Sequence, residues 1–231
     1  MESALVGQDG LKSGLHVRML GPLAIVRNGA TLELPASRKA CGLLAYLAMA
    51  PSAVGRSRLC ELLWDVPNDP RGELRWCLSK VRALLDQPDR RRVVTSGDTI
   101  ALDLADCFVD VVEIAAATEQ GVERLDTGRL MALSGLFVGD FLDGLEIDRS
   151  PHFEGWLIAQ RRRFSARHAA VLEHLVKSLP ADSDELLPYI EKWVERAPFD
   201  GRAHVSLLNA LEQRGQFAAC EEHLAAMARL F

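Results

Sequence analysis

Between Arg71 and Arg92 the chain carries seven basic side chains, Arg71, Arg75, Lys80, Arg82, Arg90, Arg91 and Arg92, against three acidic ones, Glu73, Asp86 and Asp89. Wound as a helix at about 100° per residue, Leu74, Leu78, Val81 and Leu85 fall on one narrow stripe, which is the core side. The opposite side holds Gly72, Trp76, Ser79 and Ala83, flanked by Arg75 on one edge and by Glu73 and Lys80 on the other. Small residues let a helix axis come close to a surface, and long cations at its edges reach acceptors there. The chemistry this suits is recognition of an anionic partner. Asp69 can accept from the free N–H groups of the first turn, Pro70 suits the first helical position, and Asp86, Gln87 and Pro88 close the far end, so the predicted helix runs over 70–86.

Catalytic patterns are missing from the sequence. The six histidines (His16, His152, His168, His174, His204, His223) form no H-E-x-x-H or H-x-x-x-H pair, and no G-x-S-x-G occurs. The acidic group Asp140, Asp143, Glu146 and Asp148 lacks calcium-loop spacing and has no phosphate-cradling glycine loop beside it. The five cysteines are scattered with no C-x-x-C pair, as reduced thiols packed as small hydrophobes would be. No enzyme, cofactor or metal site is expected, and no stretch approaches membrane-spanning length, so the expected location is the cytoplasm.

The net charge of −5 over 231 residues argues against a polyanionic partner when taken whole. Divided by region it does not: residues 15–106 hold 13 Lys+Arg against 10 Asp+Glu, whereas residues 107–231 hold 13 against 20. Two domains follow a short flexible N-terminal tail, residues 1–14. Residues 15–105 read as α+β. Strand patterns LHVRML, LAIVR and ATLEL are joined by Gly21-Pro22 and by Asn28-Gly29, the latter a strong hairpin signal because both residues tolerate positive φ. Ser37 caps a helix ending at Pro51, a second runs from Arg56 to Trp64, and the basic helix is third. A second hairpin, RRRVVTSGDTIALDL, turns at Ser96-Gly97-Asp98.

A sheet, three helices and a hairpin in this order let the third helix leave its polar side free for a DNA major groove while the hairpin touches the backbone, as in a winged helix-turn-helix. The DNA-facing set is then Gly72, Glu73, Arg75, Trp76, Ser79, Lys80, Arg82 and Ala83 on the helix, with Arg90, Arg91, Arg92 and Ser96 on the hairpin. Trp76 has two readings: contact with thymine methyls or sugars, or packing against the hairpin or a partner. Glu73 either accepts from cytosine N4 or suits the positive end of the helix.

These residues resemble the Streptomyces antibiotic regulatory proteins (SARPs), whose DNA-binding part is an OmpR-type winged helix. The match is carried by LGPL at 20–23, the Asn28-Gly29 turn, LELP at 32–35, the Leu-rich first helix, LCELLW at 59–64 and LSKVRALL at 78–85. From Asp106 the chain reads as helical throughout. Residues 106–231 resemble the bacterial transcriptional activator domain of the same family, including GDFLDGL at 139–145, and the region around Pro198 and Gly215 resembles a tetratricopeptide (TPR) repeat, giving an all-α domain. The resemblance implies a transcriptional activator that binds promoter direct repeats, in tandem or as a homodimer, and recruits RNA polymerase. In related winged helices the loop between the second and third helices meets the polymerase. Here that loop offers Asp65, Asn68 and Asp69, the last of which also suits a cap. The rival reading is a non-catalytic TPR-type scaffold whose winged helix no longer binds DNA. The run Arg161-Arg162-Arg163 fits a solvated or interdomain face. Phe231 ends an apolar stretch without a cap, which leaves open a continuation into a further domain.

Overall fold

The computed structural model describes residues 14–65, 69–119 and 121–230, so the tail expected at 1–14 falls outside it apart from Gly14. The chain divides into two compact units. One takes in the described residues up to Ala116 together with Val138–Phe164; the other comprises Ala117–Phe137 and the chain from Ser165 onward.

In the first unit, strand β1 (Leu15–Arg18) runs antiparallel to β2 (Ala24–Arg27), with Leu15 opposite Arg27 and Arg18 opposite Ala24. Strand β2 turns into β3 (Ala30–Thr31) through Asn28 and Gly29, whose φ angles are 50° and 81°. Those positive values are what an Asn-Gly hairpin turn requires. Helix α1 (Arg38–Met49) begins at Ser37, whose side chain accepts from the Ala40 N–H at 3.2 Å. Strand β4 (Val54–Gly55) leads directly into α2 (Arg56–Leu63), and α3 (Pro70–Leu85) follows. Strands β5 (Val93–Ser96) and β6 (Thr99–Leu102) form the second hairpin, which β4 extends to three strands in the order β4-β6-β5. A two-residue strand has no periodicity to detect, so β4 has no sequence signal.

Leucines join the three helices: Leu43, Leu44, Leu59, Leu62, Leu63, Leu74, Leu78 and Leu85 are all almost fully buried. Each contributes roughly 1.5–3 kcal/mol through burial. This is the scaffold that fixes which side of α3 faces outward.

Where the sequence predicts helix throughout from Asp106, the structure has a further strand and a long irregular segment. Strand β7 (Phe108–Val109) lies parallel to β1, completing a sheet ordered β3-β2-β1-β7, and α4 (Asp110–Glu119) starts at once. Asp110 is buried and accepts from the Met19, Leu20 and Val111 N–H groups at 2.7, 2.9 and 2.7 Å. Burial pushes its carboxyl above the ordinary range, against the pull of these three donors.

Residues 138–145 then bind back onto the end of β1. The Leu20, Met19 and Gly21 carbonyls accept from Val138, Leu142 and Asp143 N–H at 2.9, 2.8 and 3.0 Å. The LGPL and GDFLDGL motifs are therefore hydrogen-bonded to each other within one unit, which runs past the expected 105/106 boundary. Helix α6 (Pro151–Ser178) contributes its first half to the same unit. Its Trp156 packs on Tyr46, Phe141 and Phe153 at ring-centroid separations of 5.3, 5.7 and 5.1 Å. Gly42 in α1 admits this layer, because a Cβ there would lie 3.0 Å from the Phe153 ring.

The second unit holds α5 (Thr127–Ser134), the second half of α6, α7 (Leu186–Arg196), α8 (Gly201–Gln213) and α9 (Phe217–Leu230). Leu186 and Ile190 of α7 meet Leu207, Ala210 and Leu211 of α8, while Trp193 packs with Leu172 and Ala203. Gly215, at φ 67°, makes the turn from α8 to α9. His168 stacks on Phe137 with ring centroids 3.9 Å apart and planes 1° from parallel.

Candidate nucleic-acid interface

Helix α3 has one buried and one open side. Leu74, Cys77, Leu78, Val81, Leu84 and Leu85 are buried, which widens the predicted stripe by Cys77 and Leu84. Arg71, Glu73, Arg75, Trp76, Ser79, Lys80 and Ala83 are exposed, and Gly72 and Arg82 are half-buried. Trp76 keeps 50% of its surface exposed, and the Lys80 ammonium lies 5.2 Å from its ring centroid, within cation–π range. The Ser79 hydroxyl donates to the Trp76 carbonyl at 2.7 Å, so it is satisfied within the helix.

Both ends of α3 are fixed. Asp69 accepts from the Gly72 N–H at 2.8 Å as the predicted cap, and a Cβ at position 72 would collide with that carboxylate. At the other end Arg27 donates to the Leu84 and Leu85 carbonyls at 2.8 and 3.1 Å, a cation on the negative end of the helix. Asp86 does more than end the helix. Its Oδ1 accepts from the Arg92 and Val93 N–H groups at 2.8 and 3.0 Å, which ties the start of the hairpin to the end of α3. A local sequence reading saw only its helix-closing role, because its partners lie six and seven residues on.

The cations on the open side have weak partners. Arg75 sits 3.8 Å from Asp69 and Arg71 sits 3.9 Å from Asp98 at the hairpin tip, with all four side chains more than half exposed. Exposed pairs of this kind are worth about 0–1 kcal/mol, so these guanidiniums can exchange a carboxylate for another anion at little cost. At the tip, Ser96 is exposed and its carbonyl accepts from the Thr99 hydroxyl at 2.9 Å.

The arginine run at the foot of the hairpin requires correction. Arg92 is only 5% exposed, and its Nη1 and Nη2 donate to the Asp106 carboxylate at 2.7 and 3.0 Å, with Asp103 O and Cys107 Sγ at 3.2 and 2.9 Å. It is an internal tie between the hairpin and the chain leading to β7, out of reach of a phosphate. Arg90 is held by Asp103 and Asp106 at 2.9 and 3.2 Å. Arg91 alone of the three points outward, 75% exposed and 3.7 Å from Asp86. These guanidiniums hold Asp106 well below the usual carboxylate range, while burial pushes the Cys107 thiol up to about 11.

In the loop between α2 and α3, Asp65 is exposed, Asp69 is engaged as the cap, and Asn68 lies outside the described residues. Among the described residues no group of three or more His, Cys, Asp or Glu is placed to hold a metal ion, and no helix is long and apolar enough to cross a membrane.

The architecture is a small mixed sheet, three helices and a three-stranded hairpin, followed by a mostly helical region. No family model and no curated protein matches the sequence. A solved structure does match the fold: Mycobacterium tuberculosis EmbR in complex with a low-affinity phosphopeptide, with a TM-score of 0.67 and 20% identity over 90% of this chain. The match spans 57% of the length of that protein's chain.

Proposed function

We propose that this chain is a sequence-specific DNA-binding transcriptional regulator of the SARP kind, non-catalytic and cytoplasmic, that activates transcription from promoter direct repeats by recruiting RNA polymerase. The observation that carries the reading is the open side of α3, where Gly72, Ser79 and Ala83 share the centre line with Trp76 and are edged by Arg71, Arg75 and Lys80 beside the hairpin. A helix with that profile fits a groove about 12 Å wide, and its cations reach phosphates and base edges. The fold likeness to EmbR, a regulator of this family, supports it. DNA recognition is assigned to residues 15–105, with the hairpin as wing, and the activator role to the TPR-like helices of 106–231. Asp65, Asn68 and Asp69 are the proposed polymerase-facing loop, and tandem or dimeric binding follows from direct-repeat sites.

A second reading is favoured by the exposed apolar side chains of the second unit. Val205, Phe217 and Leu224 are 55%, 62% and 51% exposed, as on a surface that binds protein, and on that reading the chain is a scaffold.

Duplexes selected from a random pool by the full chain separate the two. Lys80→Ala or Arg75→Ala should weaken the best site by roughly 1–3 kcal/mol where a base contact is lost, with melting unchanged within about 0.5 kcal/mol. Leu78→Ala should instead lose roughly 2–5 kcal/mol of stability to a core cavity. Two folded variants that bind every site like the parent would leave the scaffold as the better account.

A further inference from the structure

Trp76 lies midway along the open side of α3, on the line Gly72, Trp76, Ser79, Ala83, opposite the buried stripe. From there it cannot turn into the core. Its neighbours on that line are small, so the indole stands above them and would be the first group to enter a groove. A tryptophan left 50% exposed at such a point is unusual for so large an apolar surface, and the sheet-forming hairpin does not bury it. Lys80 covers part of the ring with its ammonium 5.2 Å from the centroid.

Resting on the reading of α3 as the DNA-recognition helix, we propose that Trp76 is a specificity-determining residue that selects thymine, through apolar contact between its indole and the thymine C5-methyl in the major groove. The chemistry of the groove narrows the target. Guanine, adenine and cytosine present donors and acceptors on their major-groove edges, while thymine adds an apolar methyl. An indole has one N–H donor and no acceptor, so it cannot form the bidentate pairs by which Arg reads guanine or Asn reads adenine. What it offers is area, and the matching feature is the methyl. Lys80 is a positioning residue here: its ammonium lies over the indole, 5.2 Å from the ring centroid, and that cation–π contact favours one orientation of the ring.

The test alters the DNA before the protein. A duplex selected from a random pool by the full chain is remade with deoxyuridine at each thymine in turn, which removes only the methyl. At the thymine facing Trp76 the parent should bind roughly four-fold more weakly, the value for one buried methyl group, and 5-methylcytosine should bind better than cytosine there. Trp76→Ala, checked for folding by circular dichroism, should bind thymine and deoxyuridine duplexes equally. If the parent tolerates deoxyuridine at every position, or Trp76→Ala keeps the same methyl preference, the inference is overturned while DNA recognition by α3 stands. A Trp76→Ala variant that alters only self-association, measured by sedimentation, also overturns it, in favour of a protein contact. Failure of the parent to enrich any duplex overturns the recognition reading and this inference together.

Discussion

Arg90, Arg91 and Arg92 are chemically alike, and the alternation of side-chain direction on entering β5 gives them different surroundings. The buried Arg92 guanidinium meets the exposed Asp106 carboxylate in a two-point pair, and Arg91 faces solvent. Arg91→Ala should therefore shallow the dependence of log affinity on log salt by about 0.9 if it touches a phosphate, with stability unchanged. Arg92→Ala should lower stability by roughly 1–2 kcal/mol, through lost packing of its buried stem and lost hydrogen bonds to a solvent-exposed carboxylate, and Arg92→Lys should not restore it, because an ammonium cannot make the two parallel bonds. Thermal melts and salt titrations of the three variants check this. The pair also has a pH signature. Asp106 is held below its ordinary pKa, so its contribution is present above the usual carboxylate range and is lost as pH falls through the lowered value.

At the scale of the element, α3 is well described by its own sequence: Asp69 caps it, Pro70 opens it, and its leucine stripe is buried. Helix α6 carries a group whose behaviour depends on packing. His168 is buried against Phe137, and burial, with Arg196 and Lys192 nearby, lowers its pKa to about 3. The unfolded chain takes up a proton near pH 6.5 and the folded one does not, so this contribution to stability is complete above pH 6.5 and declines as pH falls towards 3. The slope is at most about 1.4 kcal/mol per pH unit for one proton. His168→Phe should lose less stability than the parent between pH 7 and 4 in parallel melts, since the remaining titrating groups are shared. An identical loss in both proteins would place the ring's proton affinity near its ordinary value.

For the whole molecule, the consequence lies in how the first unit closes. Asp110 holds the end of β1, β7 completes the sheet edge, and residues 138–145 bond to Met19, Leu20 and Gly21. A fragment of residues 14–105 loses all three and should melt at least several kcal/mol below a fragment of residues 14–164, or fail to fold cooperatively, in denaturant titrations followed by circular dichroism. Equal stability of the two fragments would mean that the three-helix core suffices by itself.

The sequence alone determined the local features of this protein. Periodicity marked the helices, Asn28-Gly29 and Gly97 marked the turns, and the solvent side of α3 could be read from residue spacing, because each depends on residues a few positions apart. Tertiary structure decided what depends on distant partners. Arg92 reads as a surface cation until Asp106 is placed beside it, and β4 and β7 are too short to show a pattern before β6 and β1 pair with them. The reach of the first unit to Phe164 was likewise hidden, since LGPL and GDFLDGL lie more than a hundred residues apart and meet through backbone hydrogen bonds, which any side-chain pattern leaves unspecified.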